Sequence, residues 1–191
     1  MLNRLIQDPN DFVGAFKELP KNLLMMFVNA YESLLFNRIL SERLRRNLPI
    51  HQAIVGDSIA TVHNNVVSKE IIPVRESNIN KVNAQIAKNK AVVTGLLVGS
   101  DAMFAEGEMG EIEHGVIESE KIDPRDFIIP EIPFLSSSGT RRQLFSLLPS
   151  LDWTLHIDDL QQEKQALTLR FELQKGCYAT SLLREIMKSQ D

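Results

Sequence analysis

Between Pro20 and Pro49 the chain runs without a glycine or another proline, and its apolar residues recur at helical spacing. Leu24, Phe27, Val28, Tyr31, Leu34, Leu35 and Leu44 fall where a 3.6-residue repeat brings side chains together. Phe36, Ile39 and Leu40 widen that face. The pattern predicts a helix from Lys21 to Asn47, opened by Pro20 at a favoured position and stopped by Pro49. A helix apolar over so wide an arc must be covered on more than one side. Its last turns carry Arg38, Arg43, Arg45 and Arg46, cations that suit the negative end of the helix dipole.

The flanking sequence supplies the partners. Asp8-Pro9-Asn10-Asp11 opens a short helix at Phe12. From Ile50 to Val74 the pattern is β-like, with the short apolar runs Val66-Val67 and Ile71-Ile72 and turn formers at Gly56-Asp57 and Asn64-Asn65. Ser77 to Lys90 reads as a helix with Ile79, Val82 and Ile86 on one side, and Ala91 to Val98 as a buried strand closed by Gly99-Ser100-Asp101. Residues 101 to 126 hold nine carboxylates against Lys121 and Arg125, so Glu111 to Lys121 reads as a solvated helix. Asp123-Pro124 is placed to cap another short one. A loop of helix and strand breakers follows at Pro130, Pro133 and Ser136-Ser137-Ser138-Gly139. The expected domain boundary lies there, dividing the chain into residues 1–139 and 140–191. Beyond it Arg142 to Leu148, Trp153 to Ile157 and Leu167 to Leu173 read as strands. In the last, Leu167, Leu169, Phe171 and Leu173 alternate with polar residues. Lys175-Gly176 makes a turn, and Ala179 to Lys188 a closing helix. The fold class is α/β, of the α+β type.

Composition removes several functional classes. With 43% apolar and 24% charged residues the chain is globular rather than disordered. A net charge of −4 argues against a strongly basic nucleic-acid binder, although it does not forbid a local basic patch. The single cysteine, Cys177, cannot form an internal disulfide, which fits a reducing compartment. The first residues show no signal-peptide core, and the densest apolar run, Leu23 to Val28, falls far short of a membrane span. A cytoplasmic protein with no membrane partner is expected.

No metal site or cofactor is expected either. The histidines at 51, 63, 114 and 156 are scattered. Glu106, Glu108, Glu111, Glu113 and His114 are the densest candidate ligands, but they read better as a solvated acidic stretch. No P-loop, dinucleotide fingerprint or GxSxG motif occurs. The arginines at the end of the long helix and the pair Arg141-Arg142 can meet phosphates, or can simply lie on a solvated surface. The richest segment is the last. A strand, Leu169 to Leu173, leads through Lys175-Gly176 into a helix that starts with small and hydroxyl residues. Free amides at a helix start attract anions, and Lys175, Thr180 and Arg184 add donors. A tight strand–helix turn that needs Gly176 for its backbone freedom explains the same residues equally well.

Several blocks together resemble the TruD family of tRNA pseudouridine synthases, above all its archaeal branch. They are Asp11 to Ala15 with Leu19-Pro20, Phe27 to Arg43, Val92 to Gly99, Glu106 to Glu113, Leu135 to Arg142, and Phe171 to Lys188. The resemblance implies a catalytic domain built on a mixed, mainly antiparallel sheet, with a family-specific α/β domain inserted into it. Residues 1–139 then look like most of the insertion, and residues 140–191 like the closing strands and helix of the catalytic domain.

The family converts a D-arm uridine of tRNA, at position 13, to pseudouridine without metal or cofactor. An aspartate acts on the nucleotide, and the target base must leave its stack to reach it. That aspartate stands in a Gly-x-Lys-Asp motif, and this sequence contains none. The family's Phe-Gly-x-Gln-Arg-Phe-Gly segment is missing as well. The catalytic residue is therefore unknown here, and the chain is expected to be inactive alone. By resemblance Lys175, Gly176, Tyr178, Ala179, Thr180 and Arg184 border the active site. Arg141, Arg142, Asn37 and Arg43 are the RNA-binding candidates. The expected partners are tRNA and the missing N-terminal catalytic segment. Self-association through exposed C-terminal strands is also expected. The rival reading is a non-catalytic RNA-binding or scaffold module derived from the same family.

Overall fold

The computed structural model describes residues 1–148, 150–174 and 176–188. Its main sheet is antiparallel, with strand order β2-β1-β3-β4, where β1 is Ser58–His63, β2 Val66–Pro73, β3 Ala91–Leu97 and β4 Thr140–Gln143. Asn64 and Asn65 join β1 to β2 with φ of 50° and 60°, the left-handed pair a two-residue hairpin turn demands and asparagine tolerates. Six of the seven residues of β3 are buried, consistent with an apolar run covered on both faces.

Helices cover the sheet from two sides. On one face α4 (Ile79–Ile86) sends Val82 and Ile86 against Ile59 and Val93, joined by Phe36 and Leu144. On the other, α5 (Gly107–Glu120) sends Met109, Ile112, Val116 and Ile117 against Leu96 and Val98. The long helix α3 (Lys21–Arg45) serves both clusters, giving Phe36 to the first and Leu35 and Ile39 to the second. The wide apolar arc thus has its two-sided cover around these residues. It does not extend to Phe27, Tyr31, Leu34 and Leu44, which stay exposed. By length and composition alone α3 could cross a membrane. Here Leu24, Leu35, Phe36 and Ile39 pack into the core, and the helix carries the fully buried Arg43. Two short helices precede it, α1 (Leu2–Gln7) and α2 (Phe12–Lys17), the second capped by the Asp11 side chain as its sequence suggests.

α5 corrects the sequence reading. It is not a solvated helix, since Met109, Ile112, Val116 and Ile117 form an apolar stripe directed into the core. The carboxylates between them obscured that stripe. The expected cap at Asp123 is present. Asp123 closes the 3-10 turn Pro124–Phe127, and hydrogen bonds from the Arg125 side chain and main chain hold its carboxyl at about 2.

Two loops cross tightly at Gly99. A Cβ there would lie 2.0 Å from the Gly139 amide nitrogen and 2.4 Å from the Ser138 carbonyl carbon. The Ser100 and Asp101 amides donate to the Ser137 and Ser138 carbonyls across the same crossing. Backbone cannot move aside as a side-chain tip can. Gly99→Ala is expected to cost about 1–3 kcal/mol in a urea titration, as overpacking does.

The C-terminal part begins later than expected. β4 pairs with β3, and Leu144 lies in the main core, so a cut after residue 139 would split the first sheet. The second sheet starts at Leu151. It is a two-stranded hairpin of β5 (Leu151–Ile157) and β6 (Gln165–Phe171), followed by α6 (Ala179–Met187).

Candidate functional site

Strand alternation separates the neighbouring arginines of β4. Arg141 pairs with Leu96 and Arg142 with Gly95, so the two side chains leave opposite faces of the sheet. Arg141 enters the α5 side. It meets Glu113 at 2.6 Å, with side-chain exposures of 3% and 0%, and also binds the Thr94 hydroxyl and the Thr94 and Met103 carbonyls. Glu113 in turn accepts from the Ala105 amide at 2.7 Å. This network ties β3, β4 and α5 together.

Arg43 has a similar fate. Both it and Asp57 are fully buried, and the guanidinium grips the carboxylate with two bonds of 2.6 and 2.9 Å. It also donates twice to the Pro49 carbonyl. Asp57 accepts from the Ile54 amide at 2.9 Å. The expectation that Arg43 and Arg141 bind RNA is therefore corrected. A guanidinium with at most 3% of its side chain exposed and with its donors committed cannot reach a phosphate without local unfolding. Asn37 is exposed on α3.

Arg142 takes the other face. Its guanidinium lies 5.7 Å from the centre of the Phe36 ring, and its Nη2 donates to the Gly176 carbonyl at 2.9 Å. That bond anchors the turn between β6 and α6. Gly176 has φ of 89°, which explains the glycine. The same turn is held at two further points. Gln174 Nε2 donates to the Asn65 carbonyl, and the Cys177 sulfur contacts the Ser146 hydroxyl. Gln143 also reaches that sulfur at 3.9 Å, and its Oε1 is buried with no partner among the described residues.

Gln143 and Ser146 are neutral and hold a neighbour rather than carry charge, so the sequence does not single them out. Tyr178, Ala179, Thr180 and Arg184 follow on the exposed start and flank of α6. The structure thus brings Gly176, Tyr178, Ala179, Thr180 and Arg142 to one exposed corner. Lys175 lies outside the described residues. Among the described residues no group of histidine, cysteine and carboxylate side chains forms a metal site, and His114 stacks on Phe104 at 4.2 Å.

Arg142→Ala removes both the bond to Gly176 and the contact with Phe36. The guanidinium is partly exposed, so about 1 kcal/mol of local stability is expected to go. The Cys177 amide, which donates to the Gln174 carbonyl at 3.0 Å, should then exchange about fivefold faster. Global stability should change little.

The family model for tRNA pseudouridine synthase D (TruD) matches residues 1–186. The chain belongs to the TruD family. That family is one of tRNA-modifying isomerases, and the resemblance of the separate sequence blocks is borne out over nearly the whole chain. The protein named "Probable tRNA pseudouridine synthase D" from Methanococcoides burtonii is 37% identical over 195 residues, covering 98% of this chain and 43% of its own length. The protein of the same name from Methanosarcina barkeri is 39% identical over 190 residues, with the same two coverages. The crystal structure of the "Putative tRNA pseudouridine synthase D (TruD)" from Methanosarcina mazei superposes with a TM-score of 0.91 at 34% identity, over 98% of this chain and 43% of that one. The TruD fold is thus shown for the chain, which spans less than half the length of these TruD relatives.

Proposed function

We propose that this chain forms one wall of a tRNA pseudouridine synthase, which converts a D-arm uridine at position 13, and that it is inactive without the part that carries the catalytic aspartate. The observation that carries this reading is the uncovered face of the β5–β6 hairpin. Cross-strand pairing puts Leu151 opposite Phe171, Trp153 opposite Leu169 and Leu155 opposite Leu167. All six point to one side, and Trp153 is 61% exposed. A lone two-stranded hairpin is marginal in water, and an apolar face of this kind supports a sheet completed by more polypeptide. The corner at Gly176, Tyr178, Ala179 and Thr180 adjoins this hairpin through β6. It supplies the edge of the site, and Arg142 holds that edge in place.

The test is a two-part reaction on a tRNA transcript. The chain is assayed alone and with the N-terminal portion of a Methanosarcina relative, and pseudouridine is read by chemical derivatisation and primer extension. No product from the chain alone and product from the mixture is the expected result. Product from the chain alone contradicts the proposal. So does silence of the mixture in which both parts are shown to associate.

A further inference from the structure

A groove of about 640 Å³ lies between the β1–β2 turn and α4. We propose that it holds an unstacked nucleotide of a single-stranded RNA segment leading to the active-site corner. This rests on the synthase reading and names a contact within it.

The groove has the chemistry such a ligand needs. Its volume falls in the range of small-ligand sites. Its floor is apolar, made by Ile59, Ile72 and Val82, and suits the flat face of a base. Its rim carries Lys81 and Lys90, both exposed, and among the described residues no carboxylate lines it, although the whole chain is net negative. The rim amides of Asn64, Asn65, Gln85 and Asn89 can each offer a donor and an acceptor to a base edge. Among the described residues their side chains hydrogen-bond to nothing else in the protein. His63 adds an exposed ring on which a base can stack.

Location links the groove to the corner. Ile59 pairs with Val93, two residues along β3 from Gly95, which pairs with Arg142. The groove and Arg142 therefore share one face of the sheet. Gln174, at the start of the corner, donates to the Asn65 carbonyl at the lip of the groove. An RNA strand crossing that lip has phosphate partners in Lys81 and Lys90 and a resting place for the next base. The exposed lysines confer charge contact, and the amides read a base edge without demanding one sequence.

The experiment titrates isotope-labelled chain with hexauridylate and follows amide resonances by NMR. Shifts at His63, Asn65, Lys81, Gln85 and Asn89 are expected. The K81E/K90E variant, exposed at both positions, should keep its unfolding midpoint. It should bind hexauridylate about tenfold more weakly or worse, with the slope of log Kd against log salt smaller by about one per lysine. Unmoved resonances at those five residues overturn the proposal. An unchanged affinity in K81E/K90E does so equally. The same variant in the two-part enzyme should raise KM for tRNA and leave kcat unchanged, and an unaltered KM beside normal wild-type turnover sinks the groove while the synthase reading stands. If a wild-type mixture whose parts are shown to associate makes no pseudouridine the synthase reading fails, and the hexauridylate titration still decides the groove.

Discussion

Replacing Arg43 by methionine is expected to destabilise the protein by about 3–5 kcal/mol, a large part of the roughly 5–15 kcal/mol that holds a typical domain folded. The cost does not come from lost attraction alone. The variant leaves the Asp57 carboxylate fully buried and without its bidentate partner. It also strips the Pro49 carbonyl of two donors at the end of α3. Arg45→Met is the control. That side chain is 73% exposed and, among the described residues, pairs only with Glu42 on the same helix, so a change within about 0.5 kcal/mol is expected. Urea titrations of both variants decide the matter. If Arg43 were instead a phosphate contact, R43M would weaken tRNA binding with its unfolding midpoint in place.

The second large effect concerns the uncovered hairpin. Left exposed, its apolar face is expected to drive concentration-dependent self-association of the chain. Leu155 stands mid-strand at 54% exposure, between Trp153 and Ile157 on the same side. Burying a leucine gains about 1.5–3 kcal/mol, and burying a lysine ammonium in its place is costly. Leu155→Lys should therefore raise the dissociation constant at least about tenfold in sedimentation equilibrium. Thr154→Lys, on the polar side of the same strand, should not. A wild-type chain that remains monomeric at all concentrations contradicts this expectation.

Much of the fold was legible because its signals are local. Periodicity between two prolines placed α3, alternation placed β6, and the apolar run at 91–98 placed β3 within a residue. α5 was misread because its core stripe is interleaved with glutamates. One of them, Glu113, is itself buried, so counting charge pointed outward where the chain goes inward. The arginines failed for a related reason. Nothing local distinguishes Arg43, locked on Asp57, from Arg45 two residues later. The partner lies fourteen residues away and is brought near only by the return of the chain into β1. Arg141 and Arg142 are separated by strand alternation alone, and the direction in which β4 alternates is set by its register against β3. The corner at Gly176 was legible through its glycine and through family resemblance. Ser146 and Gln143, which meet the Cys177 sulfur, are neutral and left no mark in the sequence.

The most direct measurement is a graft. Residues 1–188 of this chain replace the matching part of the Methanosarcina mazei TruD protein, so that association of two pieces is no longer required. The chimera is then assayed for pseudouridine on a tRNA transcript. Turnover within about tenfold of the parent, lost again on Arg142→Ala combined with Thr180→Ala, is the predicted result. A folded chimera that binds tRNA and forms no pseudouridine would contradict the account.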